Sequence, residues 1–348
     1  MKRITQISIL ISLMMLFATA NLSAQEVRKS FHESYDVKAD AKVRIDNKYG
    51  RVRIHTWDRN EVVIDVQVSV DAKSENESQR ILDKINIKIS GSVDLIKAIT
   101  TIDGKLNCKN CNMNIEYEVK MPASNALVLY NEFGNAYVEN LSGNTLIKIG
   151  YGNLELGELT SKENNIEVKF GDAEIAFLKA GDLIVEYGSL DLGKAGYLDM
   201  YSRFSGVEIG SVSELDLDSQ YDGIEIGSVD NMRAKASFTG IEIGEVFDKL
   251  DLTSSYGGVE IDRVAGGFSS IDITSEFGGV EIDISSSASY KLNARSSFGD
   301  IDFPEGKATV TKHVEKSFEK EVEAFIGDDK SSSSTVVVTV RNCDVEIH

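Results

Sequence analysis

Glu208, Glu225, Glu242, Glu260 and Glu281 follow one another at intervals of 17, 17, 18 and 21 residues, each between two branched apolar residues. Carboxylates so spaced could do three kinds of chemistry. They could work in pairs as acid and base on a glycosidic bond, chelate a divalent cation such as calcium, or attract a basic partner. The row continues upstream through Glu155, Glu174 and Asp191 and downstream through Asp302. Near the end of the chain, Asn342-Cys-Asp-Val-Glu346-Ile repeats the phrase, and Glu346 extends the row.

Each acidic residue belongs to a longer phrase: apolar residues at alternate positions, an aromatic, a glycine or polar stand-in, then Val/Ile-Glu-Ile. Phe133, Tyr151, Phe170, Tyr187, Phe204, Tyr221, Phe238, Tyr256, Phe277 and Phe298 mark the beat. A period this short means one unit stacked on itself, unable to bury its apolar face alone. Alternation within the unit, as in Leu250, Leu252, Ser254 and Tyr256, predicts a strand whose inward residues include the ring. A glycine corner, a shorter strand around the glutamate and a second turn complete the unit. Seventeen residues leave no room for a helical crossover, so equivalent strands pair in parallel. The expected fold is all-β: a parallel, right-handed β-solenoid of about ten short coils.

In that fold the glutamates form an outward ladder at about 4.8 Å spacing, where neighbours repel by roughly 1 kcal/mol in water and ~3 near a protein surface. Solvation, basic residues of the neighbouring face, or bound calcium would offset this. Lys169, Arg203, Arg233, Lys235 and Arg295 stand at outward positions but are too few to match the ladder. A flat ladder also spreads its oxygens, whereas calcium wants several converging on one point. The first reading is therefore a solvated structural face. A surface for cations or a basic partner is the second, with Glu208, Glu225, Glu242, Glu260 and Glu281 as its ligands, and catalytic carboxylates come last.

Two places before the ring, the residue is small from Ser202 onward: Ser202, Ser219, Ala236, Ser254, Ser275 and Ser296. The expectation is that a small neighbour makes room for a ring in a narrow core. No histidine stands in these repeats to activate a serine. His32, His55, His313 and His348 are scattered without metal-ligand spacing. Cys108 and Cys111 flank a turn-like Lys-Asn pair, which fits a local disulfide; the strand-like residues after them do not supply the helix of a redox pair. Two further zinc ligands are missing nearby, and Cys343 is left over. No glycine loop opens a helix, so a nucleotide cofactor has no support.

The chain opens with Lys2-Arg3, an apolar run to Ala20 and a small-residue exit at Ser23-Ala24-Gln25, the pattern of a signal peptide over residues 1–25. No later stretch could span a bilayer as a helix. Without Lys2 and Arg3, 35 of the 37 basic side chains remain against 56 acidic ones, which argues against nucleic acid and anionic lipid. Residues 26–126 read as a β-rich section that covers the solenoid's end. In it, Val43 to Ile54 carries the repeat phrase, Ser74-Glu-Asn-Glu77 is a capping box, and Ile81, Leu82 and Ile85 give a short helix its apolar face. Residues 127–348 form the solenoid, where the irregular stretch from Glu305 to Lys330 shields the far end before Thr335–Val340 adds a last coil.

Tyr49-Gly-Arg-Val-Arg-Ile-His-Thr-Trp-Asp-Arg-Asn-Glu-Val, the strand ending Met121-Pro, and the Phe/Tyr-x-Gly-Val-Glu-Ile copies resemble the putative-adhesin family of exported Gram-negative β-strand-repeat proteins. The resemblance implies attachment to protein or glycan surfaces, in the periplasm or at the cell surface, and no enzymatic activity. Two alternatives stand beside it. Larger β-helices carry polysaccharide lyases and hydrolases, but coils this short leave no loops for a cleft; a periplasmic scaffold or envelope-stress component would hold a protein partner instead.

Overall fold

The computed structural model describes residues 26–105 and 111–348; the expected signal peptide and Cys108 lie outside the described residues. Five long strands form the middle of the molecule: Asp172–Glu186, Ser189–Arg203, Gly206–Gln220, Gly223–Ser237 and Gly240–Ser255. Each pairs with the next in parallel, Glu208 opposite Glu225 and Leu215 opposite Met232. This is the expected β-solenoid, and the repeat period is its coil. The inward Val, Ile and Leu residues of every coil join one continuous core. Each stacked coil covers the next one's apolar face, which is what a single coil cannot do for itself.

The expected second turn is missing from these coils. Instead the strand runs on and its alternation slips twice: Ile209, Val212 and Leu215 are buried, with two residues outside the core between each and the next. Those slips carry the chain from one face of the coil to the next. At the first slip sits a column of glycines, where a Cβ on Gly210 would lie 2.5 Å from the carbonyl oxygen of Gly193. No other residue fits between coils so closely spaced.

The rings do not point inward. Tyr221, Phe238 and Tyr256 are 46, 49 and 52% exposed, and every ring from Phe170 to Phe298 has φ between 50° and 62°. In the first coils Gly50 and Gly134 take the left-handed corner, at φ 116° and 135°, as the pattern led one to expect. From Phe170 onward it is the aromatic residue, not the glycine after it, that takes it. Such a φ is costly for a residue with a Cβ, but it swings the side chain out of the coil and over its neighbour. From Tyr49 to Phe277 the rings stack face to face, with centroids 4.8–5.2 Å apart and planes within 18°. Tyrosine and phenylalanine alternate strictly along the column, so hydroxyls recur only at every second coil.

The small residue before the ring therefore has a different purpose. Ser254 and Ser275 are buried and donate to the carbonyls of Gly257 and Gly278, closing the corner from within. Ser202 and Ser219 donate instead to the buried carboxylate of Asp222, at 2.7 and 2.6 Å, which also accepts from the backbone N–H groups of Ser205 and Gln220. Asn47 and Asn131 do the same work in the first coils, with Nδ2 bonded to the carbonyls of Gly50 and Gly134. These bonds satisfy backbone groups that a corner leaves without ladder partners.

Both ends of the stack are built out of sequence order. The coil Lys42–Trp57, whose Tyr49 starts the ring column, lies between the coil Ala126–Val138 and the strands Leu95–Ile102 and Asn112–Pro122. Glu61–Asp71 and Val27–Asp36 extend that end antiparallel, and the helix Glu75–Leu82 packs over them, capped by Ser74. Ile81 and Leu82 are its buried apolar residues, whereas Ile85 opens the next strand. At the far end the irregular stretch is a hairpin, Ala308–Glu315 with Glu319–Ile326, and its second strand pairs antiparallel with Tyr290–Ser297. The last coil is not added outside it. Thr335–Arg341 lies between Ser270–Glu276 and Tyr290–Ser297, and Val345–Ile347 between Val280–Ile284 and Ile301–Asp302. Glu346 thus stands between Glu281 and Asp302 in the ladder, and Asn342, with φ 56°, takes the ring position between Phe277 and Phe298.

Candidate binding face

The carboxylate ladder is continuous. Glu155, Glu174, Asp191, Glu208, Glu225, Glu242, Glu260, Glu281, Glu346 and Asp302 are paired neighbour to neighbour, in register and exposed. Among the described residues, none of the five central ones forms an ion pair with a lysine or arginine.

Of the five outward basic residues, Lys169, Arg203, Arg233 and Arg295 lie on the other sheet and are engaged there. Lys169 bridges Glu167 and Glu186 at 2.9 and 2.8 Å, Arg233 lies between Asp216 and Asp251, Arg295 holds Glu321, and Arg203 stacks on Phe204. Burial pushes the Glu167 carboxyl up, but hydrogen bonds from Lys148 and Lys169 outweigh it and hold the group below its usual range. One sheet is thus charge-compensated and the other is not.

The compensated sheet has exceptions, one at Asp272, raised by burial and then by its neighbour Asp251, and one at Asp199. Asp182, Asp199 and Asp216 are neighbours in its ladder, and burial, then Asp182 and Asp216, raise the Asp199 carboxyl. A raised carboxyl pKa means stability that is complete below the unfolded-state value and is lost as pH rises through the folded-state value. Asp199→Asn is expected to raise the melting temperature at pH 7 and to leave it unchanged at pH 3, which thermal melts at both pH values would check.

Between the ring column and the ladder runs an open trough of about 1160 Å³, lined by Gly206, Gly223, Gly240, Gly258 and Gly279 beside the carboxylates. Coils too short for loops were expected to leave no cleft, but this trough lies on the coil surface itself and needs no loops. The first three of these glycines differ from the Gly210 column. A Cβ on Gly206, Gly223 or Gly240 would meet nothing within 4 Å, and none has a left-handed φ. Neither packing nor backbone requires glycine there. What its absence of a side chain does is leave the floor open.

The chemistry available to this face is that of attraction rather than bond cleavage. All its carboxylates project from one sheet surface, so no two flank a bond from opposite sides as a glycosidase pair must. The stacked rings have their faces covered by one another and offer edges only. At the far end Glu281, Glu346 and His348 bring one ligand atom each within 4.8 Å of the others. Three exposed donors fall short of the six to eight oxygens calcium takes. His348 enters this cluster through the out-of-order coil; at the other end of the stack, coil stacking sets His55 between Glu118 and Glu139 at 3.3 and 2.9 Å. Sequence spacing held no sign of either. Cys111 packs against the N-terminal core, and Cys343 is a free thiol.

Fold and face together define an all-β solenoid with one uncompensated acidic surface. The chain belongs to the Toastrack DUF4097 family, whose family model matches residues 38–348. Among solved structures it is similar to a "putative adhesin" from Parabacteroides merdae, at 14% identity and TM-score 0.40 over 73% of this chain and 96% of that one. A "putative adhesin" from Bacteroides fragilis matches at 12% and 0.28, over 92% and 97%. A "putative lipid binding protein" from Parabacteroides distasonis matches at 8% and 0.35, over the same shares. Curated proteins give no match. No helix among the described residues is long and apolar enough to cross a membrane.

Proposed function

We propose that this chain is an exported, non-enzymatic binding protein of the cell envelope, adhesin-like in action, whose trough holds an extended basic segment of a protein partner. The observation that carries this reading is the glycine column at 206, 223 and 240, kept free of side chains where the fold makes no demand for it. The unpaired carboxylates along one wall supply attraction without a competing lysine or arginine of the chain itself. Residues 26–126 would then be the end cover and residues 127–348 the binding array, with residues 1–25 directing export.

The test separates binding from folding. In a strand, glycine is a poor residue and threonine a good one, so Gly206→Thr/Gly223→Thr/Gly240→Thr is expected to keep or raise the melting temperature while filling the trough. Binding of a fluorescent octalysine peptide should fall at least tenfold in this variant, and wild-type protein should ignore an octaglutamate control. Unchanged octalysine affinity in a folded variant would remove the trough from the account. Release of reducing sugar from a polysaccharide panel would replace the whole reading with an enzymatic one.

A further inference from the structure

The coil 335–348 is a separable piece. It enters the stack between two coils that precede it in sequence, paired on both sides by parallel strands. When residues 290–326 take their places, they must leave a slot one coil wide that only this later segment fills. Val336, Val338, Val340, Val345 and Ile347 are at most 1% exposed in the slot. Outside it they would form a bare apolar strand, which water disfavours and other chains attract.

The tether is longer than its own slot requires. Ile326 lies beside Tyr290 on one edge of the strand Tyr290–Ser297, and Thr335 beside Lys291 on the other edge. The two ends are therefore about two strand spacings apart, roughly 10 Å. Residues 327–334 between them could span about 26–29 Å extended. Asp328, Asp329, Lys330 and Ser331 are exposed, and the side-chain bonds of Asp329 are to Ser331, within the tether itself.

The turn 285–289 accommodates the slot without extra residues. The interval from Phe277 to Phe298 equals that from Tyr256 to Phe277, 21 residues, although the first skips a coil and the second does not. The difference is taken up by a register shift, which pairs Val264 with Ile284 and ends that strand one residue early. Slot and donor are thus both complete features of each chain, joined by a tether with length to spare. That tether is held to the rest of the chain by the Asp329 N–H on Ser289 Oγ and by the Ser334 hydroxyl on the Phe268 carbonyl.

We propose that a second copy of this chain is a partner, and that two copies exchange their 335–348 coils reciprocally. Each donor makes in the other's slot the contacts it makes in its own, so exchange costs little beyond joining two chains. Because every chain gives one donor and takes one, the assembly closes as a two-fold dimer, tail to tail, and sets two acidic ladders end to end. This holds whatever the ladder binds.

Thr274 and Thr339 face each other across the slot, both exposed, on the strand below and on the donor. In a Cys343→Ser background, one copy carries Thr274→Cys and a differently tagged copy carries Thr339→Cys. The two are mixed at high concentration, taken through partial unfolding in urea, returned to buffer and oxidised. The expected product is a disulfide-linked heterodimer whose yield rises with protein concentration. The doubly substituted single chain is the control for folding, since it cross-links internally when its coil is in place. Internal cross-linking in that control together with no heterodimer at any concentration would overturn the proposal.

Discussion

Tyr221→Ala is expected to destabilise the middle of the array by about 1–3 kcal/mol, and Tyr221→Gly by about 1 kcal/mol less. Tyr221 stacks between Phe204 and Phe238 at 4.8 and 4.9 Å, and each such pair is worth about 0.5–1.5 kcal/mol. Both variants lose both contacts. They differ at the backbone: with φ at 61°, alanine keeps the left-handed strain that tyrosine bears, and glycine does not. Stacking must therefore offset strain at the corners from Phe170 to Phe277, where the ring residue itself is left-handed. Hydrogen exchange at Leu217, Ser219 and Ile224 is the suitable readout, because repeat arrays open locally. Equal effects of the two substitutions would mean that the corner is unstrained, and a negligible effect of both would mean that the rings do not hold the coils together.

Glu208→Gln/Glu225→Gln/Glu242→Gln/Glu260→Gln should have opposite effects on stability and on binding. Four of the side chains in the uncompensated column become neutral, which relieves the repulsion along it from Asp191 to Glu281. Like charges directly opposite one another on strands cost a few tenths to about 1 kcal/mol each. The variant should gain about 1–3 kcal/mol at low salt, and the gain should fade as salt shortens the screening length toward ~3 Å at 1 M. Affinity for a basic peptide should fall roughly 10- to 100-fold, each 1.4 kcal/mol of lost attraction being tenfold. A natural sequence that keeps a costly column of charge is consistent with a use for it.

The coil and the ladder were legible because a repeat fixes them. Glu208, Glu225 and Glu242 stand 17 residues apart, and parallel stacking at that period leaves them no place but one above another. The direction of the rings was not legible. Tyr256 continues the alternation of Leu250, Leu252 and Ser254, and only a positive φ takes it out of the core. Pattern alone does not reveal that a tyrosine will accept a conformation usually left to glycine; the ring stack that offsets it belongs to tertiary structure. Asn342 hints at a coil without a ring, but nothing in Thr335–Arg341 says that it inserts between earlier strands rather than after them. The trough was hidden for a related reason. Gly206 and Gly210 look alike in sequence, and only coordinates separate the glycine that a neighbouring carbonyl forces from the one that nothing forces.

The salt dependence of octalysine binding, measured side by side for the wild-type protein and the four-glutamine variant, tests the acidic trough most directly. Wild-type affinity should drop steeply between 50 and about 300 mM salt as screening sets in, and the variant should bind weakly with a much shallower slope. Identical curves for the two proteins would place the binding of basic partners elsewhere on the molecule and leave the carboxylate column with a structural role alone.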